Sequence, residues 1–367
     1  MKSPKSKTRL KRAHILPLIV LGVVALLAAA LFGGWYLLPS HPLDIAVLDK
    51  TVPASAADAD DPVLGYRKHY GLFWMLNQRK ITNPLTGRAY DAAADYYGTL
   101  LQEGTDPVNN SMARLNRTPD MVYLADAYGG ETDGETAGDK GLCYADLAAA
   151  ATAYHNGATL VAETDLFADA TEEAVQTEFC GLLGITSTGW TGRYITDMSD
   201  LSDVPEWAQS LHESQYGRPW DYQGAGILLV SGQGELVILE KGSDFDGDML
   251  TVAVADGYRK EFGRHSLNYY GWFELTEVNY DTEVIAEYRF GLNDSGREKF
   301  RKIADKTVFP AVTRVKGERS PAYYFSGDFN DYVARARFPR FLFAEAFYRT
   351  FSYDREGDIT NFYWNFF

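Results

Sequence analysis

The sequence predicts an α/β protein built on a mostly parallel sheet with helices on both faces, carried on one apolar N-terminal helix. Three observations lead there. Short runs of small and β-branched residues end abruptly in polar groups at Leu43–Lys50 (LDIAVLDK), Asp120–Tyr128 (DMVYLADAY) and Gly157–Phe167 (GATLVAETDLF), as buried parallel strands do. Amphipathic or Ala-rich stretches separate these runs, giving a β–α–β–α–β–α rhythm whose crossovers are right-handed. Ahead of them, Ile15–Leu38 runs twenty-four residues without a charge.

That apolar stretch is long enough to cross a hydrocarbon core of roughly 30 Å at about 1.5 Å per residue. Residues 1–13 carry Lys2, Lys5, Lys7, Arg9, Lys11 and Arg12 and no acid. Cationic flanks stay on the cytoplasmic side, so 1–13 reads as a cytoplasmic basic tail and 14–38 as a transmembrane helix. The chain is then a single-pass cell-membrane protein whose C-terminal domain is extracytoplasmic. A cleaved signal peptide, with Ala28–Ala30 supplying small residues, is the competing reading. The length of the apolar run, and Trp35 and Tyr36 at the depth of an interfacial belt, favour the anchor.

Charge narrows the partners. The whole chain has a formal charge of −15; without the six basic residues of the tail, the remaining 29 basic and 50 acidic side chains leave −21. Such a surface repels phosphate backbones, and no nucleic-acid partner is expected. The two cysteines, Cys143 and Cys180, fall in predicted helices and read as buried thiols rather than a bridge. No CxxC, HxH or HExxH spacing occurs, and no metal or cofactor is expected, although the carboxylates at the strand ends could also bind a divalent cation through oxygen ligands.

In chain order, Ser40–Pro42 is a linker and the first strand follows. Ala54–Asp61 reads as an acidic loop. Tyr66–Asn77 has Leu72, Phe73 and Leu76 at helical spacing and reads as a helix on the sheet. Asp91–Leu101 reads as a short Ala-rich helix inside a long insertion, of the kind that forms walls or lids. After the second strand, Gly129–Gly141 is a glycine-rich loop above the strand end. Tyr144–His155 is an Ala-rich helix, and Thr171–Leu183 a helix with Thr171 at its N-cap. Trp190 and Arg193, in TGWTGRYITD, read as loop residues. Pro205–Tyr216 is a helix, Gly226–Ser231 and Glu235–Glu240 a hairpin, and Thr251–Ala255 and Glu283–Phe290 are strands, so residues 220–290 form a β-rich part. Asp294–Ala304 is a helix capped by Asp294, and Ala322–Ser326 a strand ending in Gly327, Asp328 and Phe329. The domain thus runs over 43–330. Beyond it, 331–367 reads as an aromatic helical segment; from Tyr323 to the last residue, 17 of the chain's 51 aromatics are concentrated.

The opening strand LDIAVLD (Leu43–Asp49), DMVYLAD (Asp120–Asp126), the helix leading to GATLVAE (Gly157–Glu163) and the late FPAVTRVKGERSPAYYFSGDF (Phe309–Phe329) together resemble the class I glutamine-amidotransferase-like superfamily. The resemblance implies a flavodoxin-like sheet and is nearest to the branches without amidotransferase activity, such as the ThuA-like proteins and the β-galactosidase trimerisation domain. It covers about two-thirds of residues 43–330 in architecture and rests on no specific motif. The amidotransferase pattern needs a Cys on a Gly-flanked turn after its strand; here Glu163, Thr164 and Asp165 stand at that place. The GxSxG elbow of hydrolases is absent as well.

In an open α/β sheet ligands bind outside the carboxyl ends of the strands. Asp126 and Glu163 therefore stand as candidate catalytic carboxylates, suited to acid–base work on a glycosidic bond. Asp49, Lys50, Tyr128 and Asp165 are candidate substrate-binding neighbours, and Arg193 with Trp190 suits an anionic or sugar ligand by forked hydrogen bonds and stacking. The bland alternative is that the carboxylates cap helices and Arg193 pairs with a local acid. Asp244, Asp246 and Asp248 mimic a calcium loop but miss its spacing, so they read as a turn. His69, His155, His212 and His265 read as structural, with His69 able to face the site. Two functions follow: a surface protein that acts on or binds cell-envelope glycan, or a non-catalytic scaffold of a membrane complex.

Overall fold

A computed structural model describes residues 7–51, 65–100, 108–129, 140–167, 171–247, 250–262, 266–330, 340–344 and 346. In chain order its elements are α1 (Lys7–Leu37), β1 (His41–Pro42), β2 (Ile45–Asp49), α2 (Arg67–Gln78), β3 (Ile81–Asn83), β4 (Arg88–Ala89), β5 (Tyr97–Leu100), β6 (Val108–Asn110) and β7 (Met121–Asp126). Then come α3 (Tyr144–His155), β8 (Thr159–Ala162), α4 (Glu173–Leu183), β9 (Ile185–Ile195), α5 (Glu206–Tyr216), β10 (Gly226–Ser231), β11 (Leu236–Glu240) and β12 (Thr251–Val254). The chain continues through α6 (Arg259–Phe262), β13 (Ser266–Asn268), β14 (Trp272–Val278), β15 (Thr282–Arg289), α7 (Asp294–Phe300), β16 (Val308–Lys316) and β17 (Pro321–Phe325).

Ten strands make one mixed sheet in the order β13-β12-β15-β16-β17-β8-β7-β2-β5-β6. The five from β17 to β5 are parallel to one another, and the strands beyond them on either side are antiparallel. Numbered by appearance, the parallel five lie across the sheet as 2-1-3-4-5. Runs such as IAVLD in β2, buried at all five positions, form here because both faces of the sheet are covered. On one face, Leu48, Val122, Leu124, Leu160 and Ala162 pack under α3 and α4. On the other, Val47, Tyr123, Ala125 and Val161 share a core with α2 and with the inner face of a four-stranded antiparallel sheet, β11-β10-β9-β14. The outer face of that second sheet packs on α5 through Leu228, Ile238 and Ala208.

Several elements differ from their sequence reading. The described part of the stretch read as a helix, Asp91–Leu100, is no helix: Asp91 and Asp95 hold a turn through side-chain bonds to backbone amides, and the following residues form β5, paired in parallel with β2. An open sheet edge overrides the helix propensity of Ala92–Ala94. The stretch with Trp190 and Arg193 is not a loop but β9, hydrogen-bonded to β10 on one side and β14 on the other. Helix α7 is capped by Asn293, whose side chain accepts from Gly296 N at 3.0 Å, and not by Asp294. Helix α4 starts at Glu173, two residues after Thr171, whose hydroxyl instead joins Leu142 N and Leu166 O. Both cysteines are free thiols, as read, but only Cys180 is buried within its helix, α4; Cys143 is half-buried and stands at the N-cap of α3. The expected loops at 54–61 and 130–139, Asp248, His265, and most of the aromatic segment after residue 330 lie outside the described residues.

The helix α1 contains an apolar span, Leu16–Leu37, whose most apolar eighteen residues have mean hydropathy 2.6 and are not buried in the protein; the span is long and apolar enough to cross a membrane. Its carboxyl end is tied to the domain. Trp35 is buried and donates its indole N–H to Gln78 O at 2.8 Å, and Lys80 Nζ reaches the carbonyls of Tyr36 and Leu38 at 2.8 and 2.6 Å. A cation on the last carbonyls of a helix satisfies acceptors that have no intrahelical donor.

Gly98 fixes how β5 meets β2. It has φ +141, and a Cβ there would lie 1.8 Å from the carbonyl oxygen of Asp49. Gly98→Ala therefore forces the β2–β5 pair apart just where Asp49 leaves the sheet. A loss of about 2 kcal/mol or more is expected in the urea unfolding free energy, and an unchanged midpoint would contradict the geometry.

Candidate functional site

The parallel strands run outward from β2 in both directions, to β5 on one side and to β7, β8 and β17 on the other. Crossovers that leave in opposite directions open a crevice at the strand carboxyl ends. Asp49 and Asp126 are register partners at that point. The first turn of α2 lies over the crevice and delivers Lys68 and His69, both buried.

Lys68 is the hub. Its Nζ lies 3.2 Å from Asp126 Oδ2, 3.4 Å from Asp165 Oδ2 and 3.2 Å from Asp328 Oδ1, the last carried by the turn after β17. His69 Nδ1 is 2.5 Å from Asp49 Oδ2 and its Nε2 is 2.8 Å from Ala92 O. A carbonyl only accepts, so Nε2 carries a hydrogen, and the two contacts fix the orientation of the ring. Asp49 Oδ1 also accepts from Thr51 N at 2.9 Å. Glu163 takes a 2.5 Å hydrogen bond from Tyr123 OH, and Asn330 N approaches its other oxygen at 3.4 Å. Asn330 in turn donates its side-chain amide to Lys68 O. On β14, Glu274 accepts from Tyr324 OH at 2.6 Å and from Ser187 Oγ, and burial pushes its carboxyl above the ordinary range.

Asp126 has no exposed surface at all. Burial pushes its carboxyl up to about 7; the Lys68 ammonium opposes that shift, and the charges of Asp165 and Asp49 add to it. Its two oxygens differ. Oδ1 accepts from Thr51 Oγ1 and from Tyr128 N, whereas no donor is aligned on Oδ2 despite the ammonium nearby. Asp165, by contrast, keeps 30% of its side chain in solvent and holds a left-handed φ of +64, a conformation Asp tolerates better than most residues. Its carbonyl accepts from Ala127 N, which ties the loop after β8 to the end of β7.

Of the residues singled out in the sequence, Asp49, Asp126, Glu163 and Asp165 gather at this rim, with Tyr128 beside it and 57% exposed. Lys50 does not: one step beyond Asp49 it points to the opposite face, donating to Gly141 O at 2.8 Å and pairing with Asp146 of α3 at 2.7 Å. Trp190 and Arg193 are also elsewhere and on opposite faces of β9. Trp190 is buried between the sheets, while Arg193 faces outward and bonds the carbonyl of Asp203. The sequence reading missed Lys68, Asp328, Thr51, Tyr123 and Glu274. Lys68 had a visible signal, since it falls on the same stripe as Leu72 and Leu76, four and eight residues on. Asp328 obeys the strand-end rule that picked out the other acids. Glu274, mid-strand, carries no such mark.

Among the described residues, no group of three or more His, Cys, Asp or Glu side chains is placed to hold a metal ion. The calcium-like turn is filled from within. Asp244 is buried, accepts from Glu240 N and Ser295 Oγ, and lies 2.7 Å from Lys299 Nζ.

No protein-family model matches the chain, and no curated protein matches it. Among solved structures, the crystal structure of Agd3, described as a novel carbohydrate deacetylase, is similar at 12% identity and a TM-score of 0.26. The match covers 79% of this chain and 30% of that one. A likeness this distant supports neither a fold nor a function.

Two measurements test the cluster. Because the folded-state value of Asp126 lies above the ordinary 3.8, the folded chain keeps a proton that the unfolded chain has released between about pH 4 and pH 7. The contribution of Asp126 to stability is thus greatest below that window and falls as pH rises through it. Asp126→Asn should flatten this slope by up to about 1.4 kcal/mol per pH unit in pH-dependent urea titrations. Lys68→Met leaves buried carboxylates without their cation and should cost about 3–5 kcal/mol near pH 7, and less in acid.

Proposed function

We propose that this chain is a membrane-anchored protein whose α/β domain lies on the outer side of a cell membrane and acts on envelope glycan at the rim around Lys68. The observation that carries this reading is the pairing of unlike carboxylates on one ammonium: Asp126, sealed and held near neutrality, and Asp165, open to solvent. A sealed carboxyl that keeps a proton near neutrality beside one open to solvent is suited to acid–base work on a sugar. In this role Asp165 meets the substrate. Asp126, Glu163 and Asp49 stand behind it and set its charge and position.

The same reading places the domain in the flavodoxin-like class, near the branches of the glutamine-amidotransferase-like superfamily that lack the nucleophile. The parallel order 2-1-3-4-5 supports this, as does a cysteine-free turn at Glu163–Asp165. The basic residues ahead of the apolar span, from Lys2 to Arg12, support an inward N-terminus.

Full-length protein in detergent, supplied with fragments of envelope glycan, tests the assignment. Asp165→Asn should lower kcat by about two to four orders of magnitude. Asp126→Asn should retain measurable turnover and displace the limb of the pH–rate profile that lies near pH 7. Equal turnover by wild type and Asp165→Asn would remove the proposed role.

One observation favours a second reading, a non-catalytic subunit of a membrane complex: Asp49, Asp126 and Glu163 are all buried and each has a protein partner. Wild-type protein that binds no envelope glycan, yet is recovered from membranes with a stoichiometric protein partner, would decide for it.

A further inference from the structure

We propose that Arg340–Ala344 forms a second contact with the membrane, seated in the lipid interface against the last turns of α1. This rests on the reading of α1 as an anchor and adds to it a fixed posture of the domain on the bilayer.

The depth of the contact carries the inference. Leu342 N donates to Leu31 O at 3.0 Å, and the rings of Phe341 and Phe32 lie 5.6 Å apart. The side chain of Leu342 occupies the space over Gly34 that any other residue's Cβ would enter. Leu31 stands six residues before the end of the apolar span Leu16–Leu37, about 9 Å down the helix. That span is about 33 Å long, against a hydrocarbon core of roughly 30 Å. A segment bonded to Leu31 therefore cannot stay above the headgroups while α1 is inserted.

Chemistry along the contact follows the same order as a bilayer interface. The cations come first: Lys80 Nζ is 4.9 Å and the Arg340 guanidinium 5.8 Å from the centre of the Trp35 ring, at the level of the aromatic belt. Apolar groups follow toward the helix interior, with Leu342 and Phe341 on α1 and Phe343 presenting 73% of its surface outward. Tyr36, Leu37 and Leu38 are exposed around the same collar. The basic level suits anionic headgroups, and Phe343 suits the boundary with the acyl chains. Helix α2 then sets the distance to the site. Its last residue, Gln78, receives the Trp35 indole, and its second, Lys68, is the hub of the rim, ten residues or about 15 Å away. The rim is held off the bilayer by a strut of fixed length.

The test uses the full chain in mixed phosphatidylcholine–phosphatidylglycerol vesicles, with Cys143→Ser and Cys180→Ala in the background and one bimane-labelled cysteine at a time. Leu26→Cys reports the anchor, Tyr280→Cys an aqueous position, and Phe343→Cys the proposed contact. The label at 343 should be quenched several-fold more by doxyl-labelled lipid, and several-fold less by iodide, than the label at 280. If the label at 26 is quenched by lipid while that at 343 behaves like that at 280, the second contact is overturned and the anchor stands. If the label at 26 also behaves like that at 280, both readings fall. Should Phe343→Cys prove unstable, Arg340→Cys at the same edge makes the same comparison.

Discussion

One ammonium among three carboxylates governs this structure. The sheet ends its parallel strands in acids, and the loops after β8 and β17 add two more, so negative charge accumulates at one poorly hydrated place. Charge buried without compensation costs several kcal/mol per ion even after relaxation. Lys68 answers most of that cost from a single position, reaching Asp126, Asp165 and Asp328 together. Asp126 answers the remainder by holding a proton near neutral pH. Elsewhere at the rim the charge is handled by local pairing, with His69 on Asp49 and Tyr123 on Glu163.

The two halves of the large sheet divide the work. The parallel half brings the acids together because each strand delivers its carboxyl end to the same edge. The antiparallel half, with the second sheet folded over it, supplies an aromatic wall in which Tyr269, Tyr288 and Phe273 pack ring against ring. Tyr324, on β17 where the halves meet, carries its hydroxyl to Glu274 of the second sheet. Helix α2 belongs to both tasks. Its start holds the site together, and its end receives the helix that is apolar enough to span a membrane.

What the sequence determined by itself are the features that depend on local pattern. Continuous apolar runs fixed β2, β7 and β8, and their polar ends named Asp49, Asp126, Glu163 and Asp165, because a strand buried on both faces must release its polar groups at its tip. The apolar helix was equally plain from length alone. The hairpin of β10 and β11 was legible from its glycine turn. Tertiary structure decided what depends on pairing between distant segments. It turned the Ala-rich stretch after Asp91 into β5 because β2 offered an open edge, and it stretched Trp190 and Arg193 into a central strand because β10 and β14 flank them. It sent Lys50 to Asp146, on the face opposite Asp49, since alternation along a strand separates neighbours in sequence. Above all it chose Lys68. A lysine on an apolar stripe is visible in the sequence, but which carboxylates it neutralises follows only from the crossing of α2 over the strand ends, and Coulomb energy at about 3 Å depends on that crossing and on nothing local.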